Sequence, residues 1–296
     1  MISRRSLPAA LAVSIQACRQ KPVHADAGTY DAFHSPQNVT MVGYEGDAME
    51  PFLTRDGALL FFNNRNEPPE NTNLHWSRRV DDLTFQYMGE VPGVNTMALE
   101  AVPSMDRDGN LYFVSTRSYD QTWSTIYRVR FLNGVTGTPE LVEGVSRRIP
   151  GWVNFDAEIS ADGKSLYFVD SYFGSAGHPT QASIVLAAAA GKGFRRRGDS
   201  QRIFENVNGP GLRYAPCVSA NELELFITAV PSTQGSEPPA IYRSVRSGID
   251  GTFTVPLRLS AIEGFAEAAT VSPDGRSLYY HARLLGGKYR LRRVTR

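Results

Sequence analysis

Five stretches of this chain repeat one order of polar and apolar positions. Each opens on an acid or a residue in its place. An alternating run follows, then a short polar break, then a Leu-aromatic run. The copies are Glu50 to Arg65 (EPFLTRDGALLFFNNR), Glu100 to Arg117 (EAVPSMDRDGNLYFVSTR), Asp156 to Ser171 (DAEISADGKSLYFVDS), Tyr214 to Val230 (YAPCVSANELELFITAV) and Glu267 to Arg283 (EAATVSPDGRSLYYHAR). Anchored on the turn, they fall at Gly57, Gly109, Gly163, Glu222 and Gly275, in steps of 52, 54, 59 and 53 residues. A fixed period of this size marks a repeat architecture.

Each copy reads as a strand, a tight turn and a second strand. Asp-Gly between apolar runs predicts a hairpin with a primed turn, because glycine adopts positive φ without steric cost. Asn221-Glu222 replaces Asp-Gly in the fourth copy, so that turn is expected to differ. Ile126-Tyr127-Arg128 and Ile241-Tyr242-Arg243 are examples of a third strand, and Phe85 to Val91 of a fourth. Four antiparallel strands per period describe a propeller blade. The predicted fold is all-β: a five-bladed β-propeller of four-stranded blades. Val39 to Gly43 reads as an orphan strand that completes the last blade and removes the open sheet edges.

Composition narrows the function little. The net charge of +1 gives no strong pull toward nucleic acid. Arg195-Arg196-Arg197 reads as a solvated edge. Arg4-Arg5 followed by the apolar stretch Leu7 to Ile15 reads as an export signal. Ile15-Gln16-Ala17-Cys18 is similar to a lipoprotein box, with Cys18 as the lipidated residue, and cleavage near Ala25 or Ala27 is the alternative. Residues 1–27 are thus expected to be signal and tether, and 28–296 a single domain of the periplasm or cell envelope. A lipid at Cys18 would be its membrane contact. Cys217 reads as a small buried apolar residue, and a monomer is expected.

Ser272 to Tyr280 (SPDGRSLYY), Ser160 to Phe168 (SADGKSLYF) and Asn95-Thr96 followed by Glu100 resemble the WD40-like repeats of the TolB-like propeller family. The resemblance extends over all five copies. It implies an exported propeller, with periplasmic scaffolds, sensor domains, peptidase caps and a few lyases among its relatives. The family's lyases cluster histidines on a metal. Here His34, His75, His178 and His281 are scattered, so that chemistry is not carried over and no metal ligand is assigned.

Propeller geometry sends two sets of side chains to the mouth opposite the turns. Glu50, Glu100, Asp156, Glu158 and Glu267 precede the inner strands and are the candidate catalytic carboxylates. Arg65, Arg117 and Arg283 stand eight residues past the turn position. Ion pairs between the two sets would tie the blades together. Ser171 and Val230 replace the arginine in the third and fourth copies, beside the long loops Ser171 to Gln181 and Val230 to Ala240. Arg65, Arg117, Trp152, Asn154, Tyr214 and Arg283 are therefore the candidate ligand-binding residues. Trp152 and Trp123 suit either sugar stacking or plugging of a loop into the core.

Two functions follow. One is an envelope binding or scaffold module whose partner is a protein, peptide or glycan. The other is a carbohydrate-active hydrolase or lyase using paired carboxylates. No cofactor is called for, although a carboxylate cluster at the channel mouth can hold Ca²⁺. Two carboxylates facing each other across a pocket would favour the enzyme. Acids all tied to Arg65, Arg117 and Arg283 would favour the scaffold.

Overall fold

The computed structural model describes residues 28–66, 70–173, 179–230 and 237–296. The signal region with Cys18, His178 and the tips of the two long loops lie outside them. The regular secondary structure of the described residues is almost all strand, with single helical turns at Tyr119–Thr122 and Ser200–Ile203.

Each repeat forms an antiparallel meander. The first contains Met49–Leu53, Leu59–Asn63, Leu74–Arg79 and Thr84–Glu90. The second contains Glu100–Met105, Asn110–Ser115 and Ile126–Leu132, and two short segments pair with its third strand. The third contains Trp152–Ile159, Ser165–Tyr172, Gln181–Ala190 and Gly193–Arg196, and the fourth Leu212–Val218, Glu224–Val230, Ala240–Val245 and Leu257–Leu259. The fifth supplies Ala266–Val271, Ser277–Arg283 and Tyr289–Thr295, and His34–Asn38 pairs antiparallel with the last of these. The first strand of each repeat touches the first strand of the next, and the fifth touches the first.

The closing strand is therefore His34–Asn38 rather than Val39 to Gly43. Thr40–Val42 instead runs parallel to the outer strand of the first repeat. Proline at position 36 suits such an outer position, since it cannot donate to a ladder.

The turns are not two-residue primed turns. Each turn amide returns to the residue three before it, as in Gly57 to the Thr54 carbonyl at 2.7 Å and Gly163 to Ser160 at 3.0 Å. Glycine has positive φ (72° at Gly57 and Gly163), whereas Asp56 and Asp162 are not among the positive-φ residues. The aspartate acts as a local acceptor: Asp56 Oδ1 takes the Ala58 amide at 2.9 Å. Glu222 adopts the same geometry, with φ 58° and its amide 2.8 Å from the Ser219 carbonyl. The expected difference in the fourth turn does not occur. The Tyr167 hydroxyl donates to Glu222 Oε2 at 2.6 Å, and Arg246 Nε to its carbonyl at 2.8 Å. These contacts offset the left-handed strain of a residue with a Cβ.

Every inner strand also carries a bulge. The register shifts at the same place in all five repeats. Seven residues before each turn position stand Glu50, Val102, Asp156, Ala215 and Ala268, with φ between 48° and 53°. Left-handed geometry is costly for such residues, most of all for β-branched Val102. The strain is offset by bonds across the seams. The amides of Val102, Ala268 and Glu50 donate to Asn63, Thr228 and His281 on the preceding repeat, at 3.2, 3.0 and 3.2 Å. The Ala215 amide donates to Asp156 Oδ2 at 2.8 Å. A bulge re-aims side chains, and here it turns one position per repeat toward the axis.

Candidate functional site

The sequence-level alignment of the acids needs correcting. Only Glu50 and Asp156 share the bulge position. Glu267 lies one residue earlier and Glu100 two residues earlier in their repeats, whereas Glu158 lies two residues after Asp156. The bulge interrupts the pleat between these positions, so the five acids do not form one ring.

Glu100 is wholly buried and saturated. Its carboxylate accepts from the Thr96 amide (2.7 Å) and hydroxyl (2.9 Å), from Ser115 Oγ (2.7 Å) and from Arg117 (3.1 Å). The Arg117 guanidinium also lies 5.0 Å from the Tyr127 ring. This is the structural ion pair foreseen for the repeat, and it occurs in the second copy. Glu158 is consumed as well. Arg55 reaches it from the first turn at 2.9 Å, Ser104 Oγ donates at 2.6 Å and the Val218 amide at 3.3 Å. Arg55 and Glu158 thus cross-link four repeats in the interior.

Glu50, Asp156 and Glu267 line one cleft of about 400 Å³. One wall is apolar: Leu99, Ala101, Val114 and Phe155. The lining also includes Glu50 and Glu267 with Arg65, Arg283 and Tyr289. Asn221, Asp274 and Gly275 of the turns line a different depression. Neither Arg65 nor Arg283 forms an ion pair among the described residues. Both are exposed. They part from Arg117, although all three hold the same repeat position.

The three cleft acids are 6–8 % exposed and have no Arg or Lys partner among the described residues. Burial drives the Glu50 carboxyl well above the usual range, and the charges of Asp156 and Glu267 add to this. Burial likewise raises Asp156 to about 7, against the opposing bond from the Ala215 amide. Glu267 accepts from the Tyr214 hydroxyl and from His281 Nε2, the latter at 3.2 Å. Two donors stabilise its ionised form. The site thus sets two acids that burial biases toward their protons beside a third carboxylate that accepts two hydrogen bonds.

His281 is the partner that sequence reading missed. It is fully buried, directly opposite Glu267 in the fifth hairpin. The cross-hairpin register was the available signal. Glu50, Glu267 and His281 also bring ligand atoms within 4.8 Å of one another. However, the ring's Nδ1 accepts the Glu50 amide, so the neutral ring carries its proton on Nε2, toward Glu267. A metal at Nε2 would have to displace that proton. Two carboxylates and an imidazole also fall short of the roughly six to eight oxygens that Ca²⁺ takes. The group fits a hydrogen-bonded network better than a metal centre.

Of the remaining candidates, Tyr214 lines the cleft, whereas Asn154 and Trp152 are not among its lining residues. Asn154 is buried and donates to Asp170 Oδ1 at 3.0 Å. Trp152 lies under the Arg147 guanidinium, 4.1 Å from the ring centroid, and against Tyr172. Trp123 packs edge-on to Tyr119 against the core, so it plugs a loop. Cys217 is buried and free.

No protein-family model matches the chain, and no curated protein matches it. Solved structures do. The chain is similar to Zg3597, a family 117 glycoside hydrolase of the marine bacterium Zobellia galactanivorans, at 14 % identity and TM-score 0.56, over 89 % of this chain and 90 % of that one. It is similar to the GH43 endo-arabinanase of Bacillus licheniformis at 12 % identity and TM-score 0.56, over 86 % and 94 %. TolB of Acinetobacter baumannii matches at 19 % identity and TM-score 0.47, over 80 % of this chain. This chain spans half the length of that TolB chain. At these identities the likeness shows the fold: the protein is a β-propeller.

Proposed function

We propose that the protein is an exported five-bladed β-propeller that hydrolyses glycosidic bonds in the cleft of Glu50, Asp156 and Glu267. The observation that carries this is the convergence of three buried carboxylates, from three repeats, on one cleft without a guanidinium partner among the described residues. By the criterion set from sequence, acids facing a pocket favour an enzyme over a scaffold. The amphipathic walls suit a sugar, which presents apolar faces and hydroxyl edges. The two hydrolases above have matching folds over nearly their whole length. The TolB-like repeat sequence is consistent with the same fold and adds nothing to the choice of function.

The roles follow from the environments. Glu50, kept protonated, donates its proton to the departing glycosidic oxygen. Glu267, held in place by hydrogen bonds from Tyr214 and His281, stabilises positive charge developing at the anomeric carbon. Asp156 is the third acid; it titrates at about 7, and above that pH its charge adds to the retention of the Glu50 proton. As the glycosidic C–O bond breaks, water adds to the anomeric carbon and its proton returns to the Glu50 carboxylate, which restores the acid. Neither metal nor redox cofactor is assigned a part.

The test is release of reducing ends from an oligosaccharide panel by the wild-type protein beside Glu50→Gln and Glu267→Gln. Turnover lost in both variants supports the reading. Binding of glycans without turnover would leave a glycan-binding module of the cell envelope.

A further inference from the structure

The rim of the cleft raises a question that the acids do not answer. Three repeats place an arginine at one position. In the second, Arg117 is spent on Glu100, on the Val94 carbonyl and on two aromatic faces. In the first and fifth, Arg65 and Arg283 line the cleft with no ion pair among the described residues. These two repeats adjoin in the ring, since the inner strand of the fifth contacts that of the first. Both arginines therefore reach the cleft from adjacent repeats. Asp47, the acid at this rim, is already engaged by the Tyr289 amide at 3.0 Å and by Arg290 at 3.5 Å. Arg283 leans toward the Tyr289 ring at 5.9 Å, a distance that leaves its donors open. The charges acting on Glu50 and Asp156 come from other carboxylates and not from these arginines. Two cations thus face the cleft without serving its acids.

An arginine fork matches a carboxylate in shape as well as charge, and two forks at one cleft match an anionic substituent better than a hydroxyl. We infer that the cleft selects a glycan carrying a carboxylate group, a uronate-containing chain, which docks on Arg65 and Arg283. The inference rests on reading the cleft as a glycan site, and it names the class of glycan.

The experiment measures binding of uronate oligosaccharides and of the same oligosaccharides after chemical reduction of their carboxyl groups. The protein is the full chain carrying Glu267→Gln, so that ligand is not consumed. The charged form should bind at least tenfold more tightly, and the preference should shrink as salt rises. Arg65→Ala and Arg283→Ala should each cost about tenfold for the charged form and leave the reduced form unchanged. Unaltered melting temperatures of both variants would show that the loss is local.

Equal binding of charged and reduced ligands overturns the inference, as does an equal loss of both in the arginine variants. Preferred binding of the charged form without cleavage by wild-type protein would sustain the inference and remove the hydrolase reading. Cleavage of neutral glycans as fast as charged ones would do the opposite. No binding of either form overturns both.

Discussion

Arg117 and Arg65 stand at equivalent positions, yet they sit in opposite surroundings. Around Arg117, every charged group has its partner. Glu100 is saturated by four donors, and the guanidinium stacks on aromatic rings. Around Arg65, cations and acids line one cleft without pairing. The difference traces to where the acid falls on its strand. Glu100 lies before the bulge, where it can meet Arg117 across the hairpin. Glu50 lies on the bulge and turns toward the axis. A repeat protein can thus use one residue pair as a clamp in one copy and leave its counterparts free for chemistry in another.

The comparison can be broken most sharply at the acids. Glu267→Gln should lower turnover by roughly a thousandfold, and Glu50→Gln by roughly a hundredfold or more, with both proteins folded. Stability separates the two arginines next. Arg117→Ala strands the buried Glu100 charge and should cost about 3 kcal/mol in denaturant unfolding. Arg65→Ala, at an exposed and unpaired residue, should stay within about 0.5 kcal/mol.

The pH dependence sharpens the contrast further. Glu50 and Asp156 hold protons in the folded state that the unfolded chain has already lost above about pH 4. Over that range the folded state binds more protons, so stability falls as pH rises. The decline should run from about pH 4 through about 7, where Asp156 titrates. Melting temperatures across pH 4–9 check this, and Asp156→Asn should flatten the curve. Activity that depends on the Glu50 proton should decay on the alkaline side.

Much of the fold was legible because its signals are periodic. The Asp-Gly turns and Leu-aromatic runs recur at nearly constant steps, and each recurrence predicts the same hairpin. The site was only partly legible. Glu50, Asp156, Glu267 and Tyr214 were among the candidates, and the structure gathers them in one cleft. Glu100 and Glu158 looked equivalent to them, since their offset of two residues to either side of the bulge position is invisible without the bulge register. His281 was set aside for lack of a second histidine in sequence, whereas its partners came from the facing strand and from the next repeat. The turn at Glu222 was expected to differ from the others, but Tyr167 and Arg246 hold that residue in the common geometry.

The central claim is that the unpaired acids make the cleft a hydrolytic site. Its most direct test is the pH–rate profile of glycan hydrolysis, measured for the wild-type protein and for Glu50→Gln. The account predicts turnover that falls on the alkaline side in the wild type and is lost in the variant. Turnover that persists in Glu50→Gln with an unchanged profile would contradict it.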